Sequence, residues 1–123
     1  MIIYDAARAA VLARHGALET YPFDATTLVA KVGGKMFALV SPETPASISL
    51  KCDPYYATVL RDEYAAITAG YHLNKQHWNT VVLDDTIAAP FLEELIDESY
   101  RLVVASLTKA QRAQLDANRS DHS

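Results

Sequence analysis

Apolar and polar residues alternate along the middle of this chain with the period of β-strands. Two apolar runs, residues 28–32 and 36–41, are separated by Gly33-Gly34-Lys35. This pattern predicts a hairpin, because glycine accepts the positive φ of a tight strand reversal. Residues 48–52 place two polar side chains between apolar ones, which predicts a half-exposed strand, and residues 77–83 have the composition of another strand.

Helical signals flank these strands. Residues 6–15 contain good helix formers between Asp5, a plausible N-cap, and Gly16. Asp53-Pro54 predicts that a helix follows the third strand directly, since Asp caps a helix and Pro suits its first position. Pro90 opens the last predicted helix, whose apolar residues form one stripe as far as Leu107.

Together these elements predict an α+β fold in the order α-β-β-β-α-β-β-α. The sheet is expected to be antiparallel, with helices packed on one face and the other face open. The length of 123 residues fits a single domain, which we place at residues 1–107. Residues 108–123 are predicted to be a polar, frayed C-terminal tail. Residues 21–24 read as a short edge strand, because Pro22 lacks a backbone donor.

Charge limits the choice of partners. The formal net charge is −4, which argues against indiscriminate binding of polyanions. The excess lies in residues 84–98, which hold six acids and no base, whereas residues 1–83 hold seven of each sign. If the acidic segment is a solvated helix face turned away from the strands, a local positive surface can exist on the sheet.

Location and oligomeric state follow from general features. No apolar run is long enough to cross a bilayer, and the N-terminus lacks the features of a secretion signal. The single cysteine, Cys52, cannot form an internal disulfide. We therefore expect a cytoplasmic protein with no membrane partner, and we favour a monomer.

Residues 70–80 are the densest chemical stretch of the chain. They contain two imidazoles, an ammonium, an indole, a phenol and several amides, and no carboxylate. So many donors are costly to bury without partners. We expect this stretch to line a cleft or a binding face.

Four separated blocks, found in this order, are similar to the MmcQ/YjbR family. The similarity runs from about Leu18 to about Leu107 and rests on Tyr21-Pro22-Phe23, Lys31-Val32-Gly33-Gly34-Lys35-Met36-Phe37-Ala38-Leu39, Ser49-Leu50-Lys51-Cys52-Asp53-Pro54 and Gly70-Tyr71-His72-Leu73-Asn74-Lys75-Gln76-His77-Trp78-Asn79-Thr80-Val81. The resemblance implies a compact α+β fold of the frataxin-like (CyaY-like) group. It also implies DNA binding by two hairpin-like projections, called a double wing.

These considerations predict a non-catalytic module that binds DNA or another anion. In this hypothesis the hairpin of residues 28–41 and residues 71–80 are the two projections, and Lys51 lies between them. Lysines contact phosphate, amides contact base edges or backbone, and Trp78 or Tyr71 stacks on bases. The candidate residues are Lys31, Lys35, Lys51, Tyr71, His72, Asn74, Lys75, His77, Trp78 and Asn79.

Each of these residues also has a structural interpretation. Trp78 fits a core position, the amides and imidazoles fit hydrogen bonds to a long loop, and the lysines fit ordinary solvated strand positions. For Trp78 the core position is favoured, whereas for the polar group as a set binding is favoured.

A rival hypothesis is a pocket for a small anionic metabolite or nucleotide, with His72 or His77 as general base. A concave site lined by Tyr21 and Trp78 would favour it. We expect no metal or cofactor, because the two histidines are five residues apart and no CxxC accompanies them. Cys52 fits a buried small apolar residue better than a nucleophile.

Overall fold

The computed structural model describes residues 2–43, 45–70 and 73–120 and confirms the α+β class. Six strands and four helices are found in this part of the chain. Their order is α1 (Ile2–Leu12), β1 (Leu18–Thr20), β2 (Leu28–Val32), β3 (Lys35–Ser41), β4 (Ser47–Lys51), α2 (Pro54–Glu63), β5 (Ile67–Ala69), β6 (Trp78–Val82), α3 (Ala89–Ala105) and α4 (Lys109–Ser120). No helix among the described residues is both long and apolar enough to cross a membrane.

All six strands form one antiparallel sheet with the spatial order β1-β2-β3-β4-β6-β5. Side chains on one face, here called the inner face, pack against α1, α2 and α3. One row of laterally paired inner residues crosses five strands, and every member is buried: Leu28, Val40, Ile48, Val81 and Ile67. The hydrophobic core therefore lies between the sheet and the helices, and the predicted one-sided packing is confirmed.

The turn chemistry at the predicted boundaries is also confirmed. Gly33 and Gly34 have φ values of 59° and 84°, the left-handed region that the hairpin requires. Asp53 caps α2, since its carboxylate accepts the N–H groups of Tyr55 and Tyr56 at 3.1 and 3.2 Å. Pro54 is the first residue of that helix, so the chain turns from β4 into α2 without a loop.

A β-bulge interrupts the pairing of β2 with β3. The register moves from Ala30 opposite Ala38 to Lys31 opposite Met36, so Phe37 is an extra residue on β3. The fully buried Ser99 of α3 donates its hydroxyl to the Phe37 carbonyl at 2.6 Å and accepts the Lys51 N–H at 2.9 Å. Because Ala38 pairs with Leu50, the Phe37 carbonyl and the Lys51 N–H would otherwise face each other in the next rung of the β3–β4 ladder. Ser99 therefore bridges the ladder at this point.

Two predicted element positions differ from the structure. Helix α1 begins at Ile2, so Asp5 lies in its first turn and is not the N-cap. A carboxylate there still suits the positive end of the helix dipole. The first strand is Leu18–Thr20 and not residues 21–24, which form a bend in which the Asp24 carboxylate accepts the N–H groups of Thr26 and Thr27.

The segment after Leu107 also differs from the expected frayed tail, because it contains helix α4. Leu115 is buried and packs against Gly16. The carbonyl of Leu115 lies 3.0 Å from His15 Nε2, so the ring donates to it. A single buried leucine thus attaches a mostly polar helix to the end of α1.

Candidate functional site

The face of the sheet opposite the helices, here called the outer face, is made of short polar and apolar side chains. One row of laterally paired residues crosses all six strands: Thr20, Val29, Leu39, Ser49, Thr80 and Thr68. Val29 is buried, Thr68 is exposed, and the other four are half-buried. The hydroxyls of Ser49 and Thr80 are hydrogen-bonded at 2.9 Å. None of the six carries a charge.

Two lysines extend this face in the neighbouring row. Lys31 pairs laterally with Leu18 and Met36, and Lys51 pairs with Trp78. Both are half-buried, and β3 lies between their strands, so their Cα atoms are about 10 Å apart by the usual strand spacing. The structure thus brings Lys31 and Lys51 onto one surface, as predicted.

The acidic side chains of β1 and α3 lie on the other side of the sheet from these lysines, and Asp53, the acid nearest to Lys51 along the chain, uses its carboxylate to cap α2. Glu19 of β1 pairs laterally with the inner-face residue Ala30, and its carboxylate is bound by Arg8 of α1. Acidic residues of α3 lie on the helix side of the sheet, where Glu93 binds Arg14 at 2.9 Å. The outer-face row and its two neighbouring lysines therefore include no carboxylate.

Two turns and the end of β4 meet at one end of the sheet, here called the Lys51 end. Because the strands are antiparallel, the β2–β3 turn, the last residue of β4 and the β5–β6 connection all lie there. In spatial order β4 stands between the two hairpins. The backbone of Lys51 is consequently flanked by both turns, which is the position expected for Lys51 between the two segments.

The β2–β3 turn is held against the helix layer. A Cβ on Gly33 would lie 2.7 Å from both methyl groups of Leu107, so the turn backbone touches the end of α3. Lys35 donates its ammonium to the Ser106 carbonyl at 2.9 Å and to the Ser106 hydroxyl at 3.3 Å. Lys35 therefore caps the C-terminus of α3, and the structure does not bring it together with Lys31 and Lys51.

The β5–β6 connection is shaped by its own polar groups. The Asn74 side chain accepts the Gln76 N–H at 2.9 Å, and the Asn74 carbonyl accepts the N–H groups of His77 and Trp78 at 3.2 and 2.9 Å. Lys75 is exposed at the tip. The predicted site residues Tyr71 and His72 lie outside the described residues. Asn74 is thus used within the turn, while Lys75 faces solvent.

Asn79 faces the helices and not the outer face. It is buried, with 3 % of its surface exposed, and it pairs laterally with the core residue Leu50. Its side-chain oxygen accepts Arg61 Nε at 2.7 Å, and its amide nitrogen lies 3.4 Å from the Ala57 carbonyl. This placement separates Asn79 from the lysines of the outer face.

Arg61 of α2 was missed by sequence reasoning. Besides Asn79, its guanidinium donates to the carbonyls of Lys75 and Trp78, so it fixes the β5–β6 turn to the helix layer. The local signal is weak, because a basic residue in the last turn of a helix is normally explained by the helix dipole. Only the partner carbonyls, far along the chain, reveal this role.

Trp78 and His77 complete the Lys51 end. Trp78 is buried, with 8 % of its surface exposed, but its strand position places it on the outer face with Lys51 and outside the core between the sheet and the helices. Gly70 packs directly on its backbone. His77 is half-buried, and its carbonyl accepts the Cys52 N–H at 2.7 Å. Stacking on the Trp78 ring would therefore require the surrounding side chains to move.

Tyr21 and Trp78 do not line a common pocket. Tyr21 follows the C-terminus of β1, whereas Trp78 begins β6, and these positions lie at opposite ends of the sheet. They are also separated by four strand spacings, about 19 Å.

A cleft of about 250 Å³ is found at the end remote from Lys51, and its polar lining comes from Asp84 and Asp85. Carboxylates there would repel an anionic metabolite.

Cys52 is buried beside a cavity of about 10 Å³ that Glu98 also lines. Burial, followed by the negative charges of Glu98 and Asp53, raises the pKa of the thiol from 9.0 to about 11. The thiolate needed for nucleophilic attack is therefore scarce near neutral pH. Among the described residues, no group of three or more His, Cys, Asp or Glu side chains is arranged to hold a metal.

We expect native Cys52 to resist alkylation by iodoacetamide at pH 8, whereas the urea-unfolded chain should react readily. Because folding raises the pKa of this thiol, its stabilising effect is present below pH 9 and is lost as the pH rises through about 11. Mass spectrometry measures the alkylation. The free energy of unfolding should fall more over this pH range than in Cys52→Ala, and equal falls would contradict the assigned environment.

Comparison with known proteins gives a consistent result. A family model described as YjbR matches residues 12–102. The chain is 36% identical over 96 residues to the uncharacterized protein YbdF of Escherichia coli O157:H7. This alignment covers 77% of this chain and 79% of that protein. The chain is 33% identical over 105 residues to the uncharacterized protein YjbR of Escherichia coli K12, covering 85% and 89%. The crystal structure of Deinococcus radiodurans protein DR2400, with a DUF419 domain, superposes with a TM-score of 0.82 at 44% identity, covering 89% and 84%.

Proposed function

We propose that this chain, which belongs to the YjbR family, binds nucleic acid through the outer face of its sheet at the Lys51 end. The observation that carries the proposal is the charge segregation described above. Lys31 and Lys51 share a face with uncharged side chains, whereas Glu19 and the acids of α3 are turned to the helix side. Such a surface attracts phosphates in spite of the net negative charge.

Lys75 is the natural third contact. It is exposed in the β5–β6 turn, next to the strand end that carries Lys51, and Arg61 holds the turn in place. Three phosphate contacts predict modest affinity with a steep salt dependence, a slope of log K against log salt of about −2 to −3. The hydroxyls of the outer face can add hydrogen bonds to sugars or bases without strong sequence selection.

The proposal is tested by fluorescence anisotropy with a labelled 20-nucleotide DNA at about 50 and 200 mM salt. The double variant Lys31→Ala/Lys51→Ala should bind about tenfold more weakly than the unmodified chain and show a shallower salt slope. Lys109→Ala is the matched control, because it removes an exposed lysine from α4, away from the outer face. Absence of binding by the unmodified chain at low salt would refute the proposal, as would an equal loss in Lys109→Ala.

A further inference from the structure

We infer that the preferred ligand of the outer face is a single-stranded nucleic acid and not a duplex. This inference rests on the proposed function and names the form of nucleic acid that the surface fits. Three features of the structure carry it: the breadth of the sheet, the attachment of both turns to the helix layer, and the apolar side chains beside and between the lysines.

The outer face is too broad to enter a groove of DNA. Six strands side by side span about 24 Å, whereas the major groove is about 12 Å wide and accepts one helix or a two-stranded ribbon. A duplex could therefore touch this face only with the phosphates of its outer surface. Closer contact with a duplex would need a hairpin that projects from the sheet.

The described parts of both turns at the Lys51 end, which leave out residues 71 and 72, are held against the helix layer. Gly33 is in contact with the buried Leu107, and Lys35 is hydrogen-bonded to Ser106, so the β2–β3 turn lies against α3. Arg61 binds the carbonyls of Lys75 and Trp78 and holds the other turn against α2. Insertion of either turn into a groove would break these contacts.

A single strand can use features that a duplex cannot. Leu18 is 62 % exposed beside Lys31, and Met36 and Leu39 are half-buried on the same face. Bases that are not paired and stacked can lie on such apolar groups while their phosphates reach Lys31 and Lys51. The hydroxyls of Ser49 and Thr80 can then exchange their mutual bond for bonds to base edges.

The test compares three labelled probes of equal length: a 20-nucleotide oligothymidine, a mixed-sequence single strand and the corresponding blunt duplex. At the same salt concentration both single strands should bind at least about tenfold more tightly than the duplex. Equal or tighter binding of the duplex, with both forms weakened by Lys31→Ala/Lys51→Ala, would overturn this inference and leave the proposed function intact. No binding of any probe would refute the proposed function itself.

A second variant separates the apolar contribution from the charge. Leu39→Ser removes a half-buried apolar group from the centre of the outer face and keeps every lysine. It should weaken binding of oligothymidine by about fivefold and leave duplex binding unchanged. Val104→Ser, a half-buried apolar position on α3, is the matched control, and thermal melting verifies that both variants are folded. An unchanged affinity of Leu39→Ser for oligothymidine would contradict the inference.

Discussion

Replacing Ser99 with alanine is expected to lower the free energy of unfolding by about 2 to 4 kcal/mol. The Ser99 hydroxyl bonds the Phe37 carbonyl at 2.6 Å and the Lys51 N–H at 2.9 Å, and the side chain is fully buried. Alanine would leave both backbone groups without a partner inside the protein, at about 1 to 3 kcal/mol for each group. The regular pairing of β3 with β4 ends at Ala38 and Leu50, so the Ser99 hydroxyl takes the place of the next rung of that ladder.

Urea denaturation measures this loss as a lower midpoint with an unchanged slope. Ser49→Ala is the matched control, because among the described residues its hydroxyl bonds the half-buried Thr80 alone, and its loss should cost less than about 1 kcal/mol. A Ser99→Ala variant as stable as Ser49→Ala would show that the bridge contributes little. Since Ser99 also positions the backbone of Lys51, the variant should weaken nucleic-acid binding while the charge of the outer face is unchanged.

Replacing Gly33 with alanine should destabilise the fold by about 2 to 4 kcal/mol, more than the same change at the adjacent Gly34. Both glycines have positive φ, 59° and 84°, so alanine is strained at either position by about 1 to 2 kcal/mol. Only at Gly33 does a new Cβ also meet Leu107, at 2.7 Å from each methyl group, whereas nothing lies within 4 Å at Gly34. The difference between the two variants therefore measures the packing of the turn on α3.

A double-mutant cycle with Leu107→Ala identifies the cause. Removal of the Leu107 methyl groups makes room for the Cβ, so Gly33→Ala should cost less in the Leu107→Ala background than in the unmodified chain. The free energies of unfolding of all four proteins come from urea denaturation. Strict additivity would mean that the backbone conformation alone causes the loss at Gly33.

Local patterns predicted the elements that depend on neighbouring residues. Gly33-Gly34 marked the hairpin, Asp53-Pro54 marked the start of α2, and the alternation of residues 48–52 placed Ser49 and Lys51 on the outer face. In each case the physical cause lies within a few residues, in a backbone conformation, a cap or a period of two. The sequence predicted a positive surface on the sheet only if the acidic segment was turned away from the strands. The structure meets this condition for α3, because this helix lies across the inner face.

The remaining features depend on residues that are distant along the chain. Lys35 is bound by Ser106, which is 71 residues away, so its presence in a lysine-rich turn did not reveal that it caps α3. Asn79 was grouped with its polar neighbours, although the period of two places it with Val81 on the inner face, where Arg61 binds it. Helix α4 was missed because Leu115 is the one large apolar residue in residues 109–120.

The two outermost strands of the sheet are each three residues long. An edge this short presents only a few unpaired N–H and C=O groups, so a second copy that aligned against it would gain few hydrogen bonds. Short edges are one way in which natural sheet proteins avoid polymerisation into fibrils. A broad sheet with such edges thus offers little template for the side-by-side growth that longer edges would permit.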